Sequence, residues 1–182
     1  MDIAVIALPH ISNFDDFDPL AREEGVSVRY VRSADELEAA DLLVLPGTKT
    51  TIADLEQLRA SGIAKRIEEL ARDETPVIGI CGSYQMMGAR ILDPEPVESA
   101  LARVDGLGLL PATTHFAGNK ETHRVAGRVA AGFGLLGRAG GVSFEGYEIH
   151  MGRTDLEAEA PQSRPFTLSR RTAPEVAFED GL

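Results

Sequence analysis

Thr75-Pro76-Val77-Ile78-Gly79-Ile80-Cys81-Gly82-Ser83-Tyr84-Gln85 runs from an apolar strand, through a cysteine with glycine on both sides, into a helix. That is the pattern of a nucleophile elbow, a strained strand-to-helix turn that presents a nucleophile at the carboxyl end of a sheet. A thiol held there faces a helix N-terminus and backbone N–H groups. Both lower its pKa and stabilise an oxyanion. Cys81 is the only cysteine in the chain. Most lone cysteines are inert core groups, but a core thiol needs no flanking glycines. Gly79 and Gly82 remove side chains where an elbow is crowded. The stretch therefore reads as strand, nucleophile and helix of a thiol acyl-transfer site.

Working outward, Asp2 to Leu8, Val26 to Val31 and Asp41 to Pro46 are short apolar runs that read as buried strands. Helical patterns separate them. Asp15 to Glu24 is stopped by Gly25, Ser33 caps a short helix through Ala39, and Ile52 to Ala60 and Gly62 to Glu74 follow. In the last of these, Ile63, Ile67 and Leu70 recur at helical spacing. Strands alternating with helices imply an α/β fold, three-layered and doubly wound around a mostly parallel sheet. Ligands of such sheets bind outside the carboxyl ends of the strands. The small-residue loop Gly47-Thr48-Lys49-Thr50-Thr51 and Cys81 both lie at such ends, so topology puts them in one crevice. After about Gly88 the pattern changes. Asp93-Pro94-Glu95-Pro96 is a turn. Leu107 to Leu110, Val125 to Ala130, Val142 to His150 and Phe166 to Ser169 then read as strands of an antiparallel C-terminal extension.

A length of 182 residues with 43% apolar and 26% charged residues fits one globular domain over residues 1–182. No apolar run approaches the ~20 residues of a membrane span, and no basic segment opens a signal peptide. A single cysteine suits a reducing, cytoplasmic setting. The net charge of −11 argues against nucleic acid and anionic membranes as partners. Lysine is scarce among the 18 basic residues, which reads as genome composition or a salt-adapted surface. No phosphate-loop motif and no metal-ligand spacing is evident, so the chain is expected to hold no metal and no cofactor of its own.

Gly79-Ile80-Cys81-Gly82-Ser83-Tyr84-Gln85-Met86-Met87-Gly88 resembles the GICGGYQMLG signature of class I, triad-type glutamine amidotransferases. Four further stretches resemble the cobyric acid synthase branch. They are Leu8 to Leu20, Leu45 to Thr51, Gly106 to Pro111 and Gly146 to Thr154. The resemblance covers nearly the whole chain and implies a flavodoxin-like, class I amidotransferase fold. It also implies a reaction in which a cysteine attacks L-glutamine, forms a glutamyl thioester and releases ammonia. In the family a synthetase domain, using ATP and Mg, activates corrinoid carboxylates that this ammonia amidates on the route to cobalamin. That synthetase domain is expected as a partner. Carried over residue by residue, Cys81 matches the nucleophile, and Gly82 N–H donates to the oxyanion. Gly47 or Thr48 N–H gives the second bond, and Gln85 helps bind glutamine. Ser83 departs from the signature's second glycine.

The family's catalytic histidine lies in a segment like GTYxHGxF near the end of its domain. None of His10, His115, His123 and His150 matches it, so the domain reads as C-terminally incomplete. Three readings stay open: a truncated chain, a natural short form without glutaminase activity, or another histidine as base. His150 is the best candidate for that last role, against a purely structural role in its motif loop. Two rival functions are a non-catalytic domain that binds glutamine or docks a synthetase, and an amidotransferase subunit for another acid, such as a cell-wall precursor.

Overall fold

The computed structural model describes residues 1–130, 134–157 and 164–181. They form two compact units. The first comprises Met1–Ala117 with Arg153–Glu157, the second the described residues within 118–152 and 164–181.

The first unit is built on four parallel strands, β1 (Asp2–Ile6), β2 (Ser27–Val31), β3 (Leu42–Leu45) and β4 (Val77–Gly79), in the order β2-β1-β3-β4. The inner strands are the apolar runs. Ile3 to Ile6 and Leu42 to Leu45 are buried throughout. A strand buried on both faces cannot alternate polar with apolar residues, which is why these segments read as continuous runs. β1 pairs with β2 on one side (Asp2 with Ser27) and with β3 on the other (Ile3 with Leu42). The chain thus reverses its direction of travel at β1. Crevices for ligands open at such switch points.

Helix α1 is one turn only, Asp18–Ala21, preceded by a 3-10 turn at Asp15–Phe17. The longer helix expected here has one buried residue to anchor it, Phe17, and α1 itself buries none. The helix expected from Ser33 is likewise a single 3-10 turn, Asp35–Leu37. By contrast α2 (Thr51–Ala60) and α3 (Ile63–Arg72) form fully. In α2, Ile52, Leu55 and Leu58 are buried, and in α3 Ile63, Ala64 and Ile67. Each large apolar side chain removed from water contributes roughly 1.5–3 kcal/mol, enough to hold a ten-residue helix that is marginal alone. Helix α4 is short, Gly82–Met87.

The first unit also contains β5 (Arg90–Leu92), β6 (Arg103–Asp105) and the start of β7 (Ala112–Val129). β5 is antiparallel to β6 and parallel to β7. Leu107 to Leu110, expected as a strand, is a loop. The N–H groups of Leu107, Leu109 and Leu110 donate to the carbonyls of Met86 and Met87 at the end of α4. The second unit holds the rest of β7, most of β8 (Ser143–Leu156), β9 (Phe166–Arg170) and β10 (Ala173–Asp180). There β7 pairs antiparallel with β9, and β9 with β10. These strands belong to a second sheet, separate from the four-stranded parallel one that they were expected to extend.

Candidate functional site

The elbow starts where β4 ends. Ile80 N–H donates to the Leu45 carbonyl (3.0 Å), the last tie to β3. Cys81 then takes φ +54° and ψ −118°. A non-glycine residue in that region costs on the order of 1–3 kcal/mol and persists only where its surroundings dictate it. They do so here. Ser83 N–H donates to the Ile80 carbonyl (3.0 Å), and Gln85 N–H to that of Cys81 (3.2 Å), so α4 begins at once. A Cβ on Gly79 would strike the Met87 sulfur and lie 3.0 Å from the Ser83 carbonyl oxygen. A Cβ on Gly82 would lie 2.8 Å from both Thr48 Cγ2 and Thr51 Oγ1. Both glycines are thus demanded by close approach. Cys81 is exposed.

Ser83, the departure from the family signature, is fully buried and donates its hydroxyl to the Pro46 carbonyl. The bond ties the elbow helix to the end of β3 and satisfies a polar group that burial would otherwise leave costly. Gln85 is only 7% exposed, so it is no solvent-facing helix residue.

The loop after β3 meets the loop after β1. Ser12 N–H donates to the Gly47 carbonyl (2.8 Å) and Lys49 N–H to the His10 carbonyl (3.0 Å), with an antiparallel bridge between Ile11 and Thr48. A Cβ built on Gly47 would stand 3.7 Å from the Cβ atoms of both Cys81 and Ser12. The Cys81 and Ser12 side chains therefore flank the bare Cα of Gly47. Gly47 thus lies beside Cys81, and Thr48 beside Gly82.

Two features of this crevice had escaped sequence reasoning. The first is Asp54, wholly buried in the first turn of α2. Its Oδ1 lies 2.7 Å from His10 Nδ1, while Oδ2 accepts the Thr48 hydroxyl and, at 3.4 Å, the His10 N–H. The signal was available: an acidic residue on the stripe marked by Ile52, Leu55 and Leu58 must be matched by donors. The second is Glu98. Thr50, the N-cap of α2, makes no side-chain capping bond. Glu98 caps the helix instead, accepting the Thr51 hydroxyl (3.0 Å) and Ile52 N–H (3.2 Å). Burial pushes the Glu98 carboxyl above its usual range, partly offset by these bonds.

His150 lies on β8 in the second unit. Its Nδ1 is 2.9 Å from the Gly152 carbonyl and its Nε2 3.1 Å from Glu148 Oε1. Both ring nitrogens of His150 thus lie against oxygen acceptors within β8 itself. Arg170 grips Glu148 with two bonds of 2.8 Å. That grip holds the Glu148 carboxyl below its usual range, against the opposing effect of burial. Among the described residues no group of three or more His, Cys, Asp or Glu is placed to hold a metal, and no helix is long and apolar enough to cross a membrane.

Residues 2–182 match the family model of the CobB/CobQ-like glutamine amidotransferase domain. The chain is 48% identical over 181 residues to a cobyric acid synthase of Moorella thermoacetica and 51% identical over 184 residues to one of Citrobacter koseri. All of this chain is covered, but only 34% and 36% of those relatives. Among solved structures it is similar in fold to a glutamine amidotransferase (TM-score 0.59, 17% identity, 88% of this chain and 75% of that one). It is also similar to PurLQS from Thermotoga maritima (TM-score 0.62, 20% identity, 87% and 70%).

Proposed function

This chain belongs to the CobB/CobQ-like glutamine amidotransferase domain family, and from that premise we propose that Cys81 is the nucleophile that releases ammonia from L-glutamine. The thiol sulfur attacks the side-chain amide carbon. The S–C bond forms, the C–N bond breaks, and the thiol proton leaves with the nitrogen as ammonia. Water then cleaves the thioester, giving glutamate and the free thiol. Charge builds on the amide oxygen in the first step. Gly82 N–H and an N–H of the Gly47–Thr48 loop are the donors in this reading, each worth ~3 kcal/mol of barrier. Buried Gln85, on the helix that Cys81 opens, helps hold the substrate.

The observation that carries this reading is the backbone of Cys81. Its positive-φ backbone is maintained between two glycines that close packing requires, and its side chain is exposed beside the Gly47 loop. Strain of that kind serves presentation of a side chain, not packing. The ammonia, on this proposal, amidates corrinoid carboxylates activated with ATP and Mg by a synthetase region. Similarity to cobyric acid synthases, of which the chain spans about a third, supports that acceptor.

The test is glutamate release from L-glutamine by the full chain, alone and with a separately expressed synthetase region of a relative. Turnover abolished in Cys81→Ala is the expected result. Glutamine binding by calorimetry, with no turnover in either setting and no thioester by mass, would instead mark a binding or docking domain.

A further inference from the structure

We propose that His10 and Asp54 are positioning residues for this chemistry: together with the Thr48 hydroxyl they clamp the loop after β3 so that Thr48 N–H, not Gly47 N–H, faces the elbow. The inference rests on the reading of Cys81 as nucleophile.

Peptide planes give the direction. A trans peptide points its C=O and its N–H to opposite sides. The Pro46 carbonyl is turned to Ser83 on the elbow helix, so Gly47 N–H points away from that helix. The Gly47 carbonyl is turned to Ser12 N–H in the loop after β1, so Thr48 N–H points away from β1. The sheet order places β3 between β1 and β4, and the far side is therefore that of β4 and Cys81. Thr48 Cγ2 reaches the same place, close enough to Gly82 to exclude a Cβ there.

The clamp explains an otherwise costly carboxylate. Asp54 is fully buried on an apolar stripe that a leucine would fill, and burying a charge costs several kcal/mol unless it is paired. All three of its donors come from the two crevice loops: the His10 ring, the His10 N–H and the Thr48 hydroxyl. Thr48 Oγ1 also accepts Thr50 N–H (3.1 Å), closing the turn into α2. The His10 ring is itself about half exposed (side chain 53%). Burial therefore does not hold it in place, and its bond to Asp54 does.

The test compares two electrophiles on the full chain, followed by intact mass. A glutamine-derived chloromethyl ketone is attacked at its carbonyl, passes a tetrahedral oxyanion, and ends with a new S–C bond, chloride leaving and the thiol proton lost to solvent. Iodoacetamide alkylates the same sulfur by direct displacement, without that oxyanion. Thr48→Val, Asp54→Asn and His10→Ala are expected to slow the limiting rate with the ketone about tenfold or more, since small misplacements at reacting groups are costly. The concentration for half-saturation and the iodoacetamide rate should stay within about twofold. Thr48→Ser and His10→Asn should restore most of the rate. Folded variants with an unchanged limiting rate, or with both electrophiles slowed equally, overturn the proposal. If Asp54→Asn fails to fold, Thr48→Val and His10→Ala carry the test. Wild type labelled by iodoacetamide but not by the ketone overturns the glutamine reading itself, and this inference with it.

Discussion

A methyl group separates two kinds of glycine in this crevice. Added to Gly82 it would lie 2.8 Å from Thr48 Cγ2 and Thr51 Oγ1, the ends of two β-branched side chains that cannot swing away. Gly82→Ala is expected to destabilise the fold by about 1–3 kcal/mol, the usual range for overpacking, read as a lower urea midpoint. Added to Gly47 the same methyl makes ordinary contacts of 3.7 Å with Cys81 and Ser12. Gly47→Ala should therefore keep its urea midpoint to within the ~0.5 kcal/mol typical of harmless changes. The methyl would nevertheless fill space beside the Cys81 side chain. Labelling of Cys81 by the glutamine-derived ketone should fall by about tenfold or more, as expected when a reacting group is displaced. Equal stability losses in the two variants would contradict this distinction.

At the scale of elements, α2 depends on a loop that reads as a mere turn. Buried Asp93 accepts N–H bonds from Val97 (2.7 Å), Glu98 (2.9 Å) and Ser99 (2.9 Å), and the loop so shaped delivers Glu98 to the start of α2. Burial pushes the Asp93 carboxyl up, but the three bonds more than offset it and leave it below its usual value. A lowered folded pKa stabilises above the unfolded value, ~3.9 for aspartate, and that stability disappears as pH falls through the folded value. Asp93→Asn should therefore lose about 1–3 kcal/mol at neutral pH, the range for charged hydrogen bonds, and show a flatter acid limb in denaturation below about pH 4. An unchanged acid limb would remove Asp93 as its source. Glu98 has the opposite sign. Its raised folded pKa makes stability fall as pH rises through the window above the ordinary glutamate value. Elements differ in legibility for a related reason. β1 and β3 are buried runs and were read directly. β10 is exposed at most positions and β5 and β6 are three residues long, so none carries a pattern to read.

Across the whole molecule, the legible part of the site is the part that is local in sequence. Cys81, Gly82, Gly47 and Thr48 lie in two short stretches whose glycines and apolar runs announce them. His10 and Asp54 are 44 residues apart, and only the sheet order brings the loop after β1 to the start of α2. Charge is the other global property, and its consequence can be argued through. The chain carries 29 acidic against 18 basic residues, a net −11. Such an excess repels itself in the compact state. Opposing it are exposed pairs such as Arg22–Asp18, Lys65–Glu69 and Arg72–Glu68, each at 3.9 Å. Exposed pairs contribute roughly 0–1 kcal/mol each, and long ones stand at the low end. Salt shortens the screening length from ~30 Å at 0.01 M to ~8 Å at 0.15 M. The repulsion, which acts over long distances, is then screened more than the pairs. Raising NaCl from 0.01 to about 0.15 M at neutral pH should stabilise the protein by about 1 kcal/mol, or ~2–4 °C in Tm for a chain of this size. Circular dichroism melts at the two salt concentrations measure it. A Tm that falls with salt would mean that the ion pairs outweigh the repulsion and that the acidic surface stabilises the fold through them.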